Sequence, residues 1–179
     1  MKYTGVILAG GLSTRMGQDK GLINYNGKAM VEYCIEALKP LCSEITISTN
    51  NPDYSRFGYK LIHDVYKEIG PIGGLHAALR AASNDAILVC PCDMPLIKSE
   101  DFKKIIDDKK ESTAVVQSST QKVYPTLGYY PKRSLTTIIN QIEKKQYKLQ
   151  LLLKELNAQY IGIDDENALL NFNQPEDLK

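Results

Sequence analysis

Apolar positions along the chain follow two alternating rhythms. "TGVILA" is a near-continuous apolar run, the pattern of a parallel strand buried on both faces. After a glycine-bearing loop, Val31, Cys34, Ile35 and Leu38 fall at i, i+3, i+4 and i+7 and make one helix face that stops at Pro40. "EITIST" is β-branched and predicts a second strand, and "YKLI" a shorter third ending at His63-Asp64. "GPIGGLHAALRAA" turns on its glycines into a helix whose Leu75, Ala78, Leu79 and Ala82 share a face. "AILVC" predicts a central strand that stops at Pro91, and Ser99 is placed to cap a helix carrying Phe102, Ile105 and Ile106. "TAVVQ" and "YPTLGYY" follow as strands. Leu135, Ile138, Ile139 and Ile142 mark another helix, and Leu149 to Leu156 a shorter one. "YIGI" predicts a last strand, and Pro175 suits the first turn of a terminal helix.

Strands alternating with helices predict an α/β fold: a three-layer α/β/α sandwich with a Rossmann-like, mostly parallel sheet. Ligands of such folds sit beyond the carboxyl ends of the strands. That rule singles out the loop after residue 8, the segment from Asp64 to Gly74, and the segment from Cys92 to Pro95. With 179 residues and no linker, repeat or low-complexity run, residues 1–179 are expected to form a single domain. A chain of this size buries about 70% of its unfolded surface and needs no disulfide or metal staple.

Charge narrows the choice of partner. A net charge of +1 argues against nucleic acid or a membrane bound by bulk electrostatics, so any anion must be held by a local cluster. The clusters "KKIIDDKKE" and "EKK" read as solvated helix faces. Four cysteines in a chain of this length do not form the pattern of a secreted disulfide framework. No basic-then-apolar leader opens the sequence, and no run approaches the roughly 20 apolar residues of a membrane span. The expectation is a cytoplasmic protein.

The loop after the first strand carries the first candidate chemistry. It lacks the hydroxyl residue that a P-loop places after its lysine, since Lys20 is followed by Gly21. It also breaks the dinucleotide spacing, because Gly10 and Gly11 are adjacent and the next glycine is Gly17. What remains is a longer loop with backbone N–H groups freed by Gly10 and Gly11, hydroxyls at Ser13 and Thr14, and cations at Arg15 and Lys20. Consecutive N–H groups make an anion-binding concavity, and an Arg fork with a Lys point charge can hold phosphate oxygens. The alternative is a tight turn with two surface cations.

Asp93 stands just past the most apolar strand, with Pro91 and Pro95 stiffening the backbone on either side. Packing gains nothing from a carboxylate there, whereas Mg²⁺ commonly takes one or two carboxylates plus phosphates and waters. The alternative is a turn or capping aspartate. Asp64 is a second carboxylate on the same rim, able to contact base, ribose or metal. Cys90 and Cys92 have no further Cys or His nearby to complete a zinc site. His63 and His76 are isolated and read as core or surface residues.

These features converge on a nucleoside triphosphate, and here a resemblance enters. "LAGGLSTRMGQDK" resembles the L-A-G-G-x-S-x-R-M-G-x-D-K signature of the molybdenum cofactor guanylyltransferases, within the nucleotidyltransferase superfamily. "NGKAM", "GPIGGL", "PCDMPLI" and "NFNQPEDL" follow in the family's order, so the likeness spans nearly the whole chain. It implies that GMP passes from GTP to molybdopterin, giving the guanine dinucleotide cofactor and pyrophosphate, with Mg²⁺ as cofactor. It implies nucleotide contacts from Leu8, Ala9, Gly10, Gly11, Lys20, Asp64 and Asp93, with Asp93 also the Mg²⁺ ligand. Arg15, Lys20 and Asp93 would carry the catalysis, while Asn171, Asn173 and Lys148 would lie near the pterin. Some members have a nucleotide-contacting Asn where this chain has Ser48, and Asn50 is the candidate substitute. Transient contact with proteins that deliver or accept the cofactor is also implied.

Two alternatives stay open on sequence alone. The same fold could serve as a cytidylyltransferase or a sugar-1-phosphate nucleotidylyltransferase. A phosphoacceptor module using Asp93 is the other, although Gly10-Gly11 stands where a receiver would place an acidic pair.

Overall fold

Strand β1 (Tyr3–Leu8) has apolar residues on both faces and accordingly takes an interior place in the sheet. The computed structural model describes residues 3–10, 19–173 and 177. After β1 come a 3₁₀ turn at Lys20–Leu22, a small hairpin of β2 (Asn24–Tyr25) and β3 (Lys28–Ala29), and helix α1 (Met30–Leu38). Then follow β4 (Cys42–Ser48), a 3₁₀ turn at Pro52–Phe57, β5 (Lys60–Ile62), α2 (Pro71–Ala81), β6 (Ala86–Pro91) and α3 (Ser99–Asp108). The remainder is β7 (Ala114–Gln117), β8 (Val123–Pro131), α4 (Ser134–Glu143), α5 (Leu149–Glu155), β9 (Gln159–Ile161) and a 3₁₀ turn at Glu166–Leu169.

Among the described residues the main sheet has seven strands in the order β5-β4-β1-β6-β8-β7-β9. It is mostly parallel, as expected. Only β8 runs against its neighbours β6 and β7. Alternation along each strand then assigns the layers. On β6, Leu88 and Cys90 point to the layer of α1 and α3, while Ile87 and Val89 point to α2, α4 and α5. All four are fully buried, so this strand sits in the middle of two apolar cores. Among the described residues, no helix is long and apolar enough to cross a membrane.

One local expectation changes and one element is new. Lys98, rather than Ser99, occupies the cap position of α3: the Asp101 carboxylate accepts the Lys98 N–H at 2.8 Å. The Ser99 hydroxyl instead donates to the Ala37 carbonyl at 2.9 Å and ties α3 to α1. The β2–β3 hairpin was not predicted, although its signal was present. Asn26 and Gly27 take φ of 48° and 91°, the left-handed pair that a two-residue hairpin turn requires. The terminal helix expected at Pro175 lies outside the described residues.

Candidate active site

The carboxyl ends of β1, β4, β5 and β6 surround a cleft of about 1110 Å³. Its floor is held by main-chain bonds that continue past the strands. The Ala9 N–H donates to the Ser48 carbonyl at 2.9 Å, and the Cys92 N–H to the Leu8 carbonyl at 3.1 Å. The backbone at Leu8 and Ala9 is thereby fixed against both neighbouring strands, and both residues line the cleft together with Gly10.

On the β6 side, four of the predicted residues meet directly. The Lys20 Nζ lies 3.6 Å from Asp93 Oδ2. Asn171 Nδ2 donates to Asp93 Oδ1 at 3.0 Å, and Lys20 Nζ donates to Asn173 Oδ1 at 2.5 Å. The "NFN" segment can do this because Phe172 is its anchor. Phe172 packs with Ile23, Met30 and Tyr25, its N–H donates to the Asp93 carbonyl at 2.8 Å, and the flanking asparagines reach Asp93 and Lys20. The segment is thus pinned to both Asp93 and Lys20.

On the β5 side the surroundings differ. Asp64 is half-buried, and burial holds its carboxyl above the ordinary range despite a hydrogen bond from Ser48 and the nearby His63 and His76. Behind it His76 is 2% exposed, and burial, with Arg80, pushes its imidazole below the ordinary value. Helix α2 reaches this point because Gly74 has no side chain: a Cβ would lie 3.1 Å from Leu8 Cδ2 and 3.2 Å from Ser48 Oγ. His63 sits to the side, its Nδ1 2.9 Å from the Thr49 carbonyl oxygen.

Asn50 lines the same cleft as Ser48, one residue beyond Thr49 and past the end of β4. Gly11 and Arg15, with Ser13 and Thr14, lie outside the described residues. Lys148 does not line the cleft; it precedes α5 in the turn from α4 and is exposed. Residues that sequence reasoning did not single out also face the cleft, among them Asp19, Asn51, Glu68 and Thr126. Asn51 sits beside a residue that was chosen, and Asp19 is the aspartate in the closing D-K of the signature, a signal that carried no assigned role.

As for a metal, no group of three or more His, Cys, Asp or Glu side chains converges among the described residues. A cation here would therefore take its remaining ligands from a bound substrate and water. Asp93 suits that arrangement: it is partly exposed, and only one of its oxygens accepts the Asn171 amide.

A family model described as a MobA-like NTP transferase domain matches residues 5–159. The chain is 39% identical to the molybdenum cofactor guanylyltransferase of Vibrio parahaemolyticus, covering 97% of this chain and 91% of that one. It is 35% identical to the protein of the same name from Yersinia pestis, with coverage of 97% and 92%. Among solved structures, a protein of Aquifex aeolicus superimposes with a TM-score of 0.84 at 31% identity, covering 97% and 94% of the two chains. The molybdopterin-guanine dinucleotide biosynthesis protein A of Archaeoglobus fulgidus has a TM-score of 0.78 at 24% identity, covering 98% and 94%, a likeness of fold.

Proposed function

This chain belongs to the MobA-like NTP transferase family, and we infer from that premise that it transfers GMP from GTP to molybdopterin. The products are the guanine dinucleotide form of the cofactor and pyrophosphate. The observation that carries this reading is one cleft holding Leu8, Ala9, Gly10, Lys20, Asp64 and Asp93 together at the carboxyl ends of the strands.

The chemistry asked of the site is an in-line displacement between two anions. A terminal phosphate oxygen of the pterin forms a bond to the α-phosphorus as the bond to the bridging oxygen breaks, and pyrophosphate leaves with that electron pair. The attacking oxygen is already ionised at neutral pH, so no general base is required. Charge and alignment are the barrier. Lys20 is held at the edge of the phosphate region and would offset charge on the departing pyrophosphate, with the Gly10 main chain leaving room for close approach. Asp93 would hold Mg²⁺, which when bound neutralises phosphate oxygens and polarises the α-phosphorus. Asp64, on the far wall, would fix the nucleoside end. Asn171 and Asn173, which bond Asp93 and Lys20, would meet the pterin acceptor on that side. The free cysteines Cys34, Cys42, Cys90 and Cys92 support a cytoplasmic setting.

The test is pyrophosphate release with Mg²⁺ and molybdopterin, with GTP and CTP assayed in parallel. Release with GTP alone is expected. Release with CTP alone would overturn the base assignment, and release with neither, from folded protein, would overturn the acceptor.

A further inference from the structure

A carboxylate in a cleft that receives a triphosphate requires an explanation, and Asp19 is such a carboxylate. It precedes Lys20, and its charge would repel the ligand unless it were used for something else. Both of its oxygens face protein donors. Oδ1 accepts the Tyr54 hydroxyl at 2.5 Å and the Gly21 N–H at 3.3 Å, while Oδ2 accepts Asn51 Nδ2 at 3.1 Å.

Both long-range partners are rigid. Tyr54 is fully buried, so its hydroxyl needs a partner, and Asp19 supplies it. Asn51 caps the 3₁₀ turn at Pro52–Phe57 through Oδ1, which accepts the Asp53 N–H at 3.0 Å, and its own N–H donates to Thr49 Oγ1 at 3.1 Å. Asn51 is thereby tied to the end of β4. Gly21 completes the fit, because a Cβ there would run into the Tyr54 hydroxyl. Asp19 also caps the turn that carries Lys20.

We propose that Asp19, Asn51 and Tyr54 form a clamp that positions Lys20 for the polyphosphate. They are positioning residues, acting through Lys20 and not on the substrate. The clamp fastens the Lys20 turn to the β4 wall, while Asp93 and Asn173 receive the ammonium from the β6 wall. Held by three donors, the Asp19 carboxylate is turned toward the protein and orients the turn that carries Lys20.

This inference rests on the reading that Lys20 meets GTP phosphates, and a swap of donor and acceptor tests it. Asp19→Asn turns an amide nitrogen toward Asn51 Nδ2, so two donors oppose each other. The double variant D19N/N51D restores a complementary pair, since an aspartate at 51 can still cap Asp53 and accept from an asparagine at 19. GTP affinity by calorimetry and KM and kcat by pyrophosphate release are read beside the thermal midpoint. D19N is expected to weaken GTP binding about ten-fold, with most of the loss in KM, and D19N/N51D to return to within about three-fold of wild type. Tyr54→Phe, which removes one oxygen, is expected to cost a few-fold in KM and serves as the measurement if D19N does not fold. A folded D19N with wild-type affinity, a double variant no better than D19N, or Tyr54→Phe at wild-type KM would overturn the clamp. Wild-type protein that binds no GTP would instead overturn the functional reading beneath it.

Discussion

Asp64 and Asp93 both leave parallel strands at the same end of one sheet, yet the fold treats them differently. Asp93 ends β6 beside a lysine and an asparagine amide, and its neighbours Asn171 and Phe172 come from the far end of the chain. Asp64 ends β5 against the first turns of α2, where burial opposes its charge and Ser48 supplies the hydrogen bond. One wall gathers charged and amide groups that bond one another. The other is closer to a fitted surface, made by a glycine in the helix and small side chains on the strand. The difference teaches that position at a strand end nominates a residue for a site, and its neighbours then assign the work.

If that contrast is right, removing the same charge from each wall should have unequal effects. Asp93→Asn is expected to give the largest loss, a fall in kcat of about 10²–10³ measured by pyrophosphate release, the scale of a group that acts on developing charge. The thermal midpoint should hardly move, because the partly exposed pair with Lys20 contributes little to stability. Equal losses in kcat from Asp93→Asn and Asp64→Asn would break the comparison. Next in size is Lys20→Ala, expected to weaken GTP binding roughly 10–100-fold by calorimetry, with a steeper salt dependence in wild type than in the variant. Asp64→Asn should act mainly on KM for GTP, by about ten-fold or less, leaving kcat within a few-fold.

The same contrast explains how much was legible beforehand. The strands of the main sheet and the two helix layers followed from local rhythm, since a strand buried on both faces can only be apolar and a surface helix needs one apolar stripe. Asp64, Asp93 and the Leu8–Gly10 backbone were placed by the rule that ligands sit beyond strand ends, and the structure gathers them in one cleft. The clamp was not legible. Asp19 meets Asn51 and Tyr54 across 32 and 35 residues, and nothing in "NNPDYSRF" marks Tyr54 as the buried member. Ser99 failed for a related reason: its hydroxyl had a better partner on α1, 62 residues away, leaving the cap bond to Asp101. Asn171 and Asn173 were placed by family resemblance alone. Only the folded chain ties them to Asp93 and Lys20 through the Phe172 anchor.

The smallest effect sharpens the contrast furthest, because it concerns stability in the absence of substrate. Burial holds the Asp64 carboxyl above its ordinary value in the folded chain, so the folded state keeps its proton where the unfolded state has lost it. Between the ordinary carboxylate range and the raised value the folded state binds more protons, and stability falls as pH rises through that window. His76 has the opposite sign: its lowered imidazole costs stability as pH falls below the ordinary histidine value. The two slopes lie in neighbouring ranges and can be separated by substitution. Asp64→Asn should remove the acidic slope and enlarge the histidine slope, because the Asp64 charge raises the His76 imidazole, while the neutral-pH midpoint rises by about 2 °C or less, since a half-exposed carboxylate keeps much of its water. Thermal unfolding of wild type and Asp64→Asn across pH 4 to 8 (about one step per half unit) measures this directly. A variant less stable than wild type at neutral pH would mean that Ser48 and its neighbours hold the Asp64 charge as firmly as Lys20 and Asn171 hold that of Asp93, and the two walls would then differ only in what they bind.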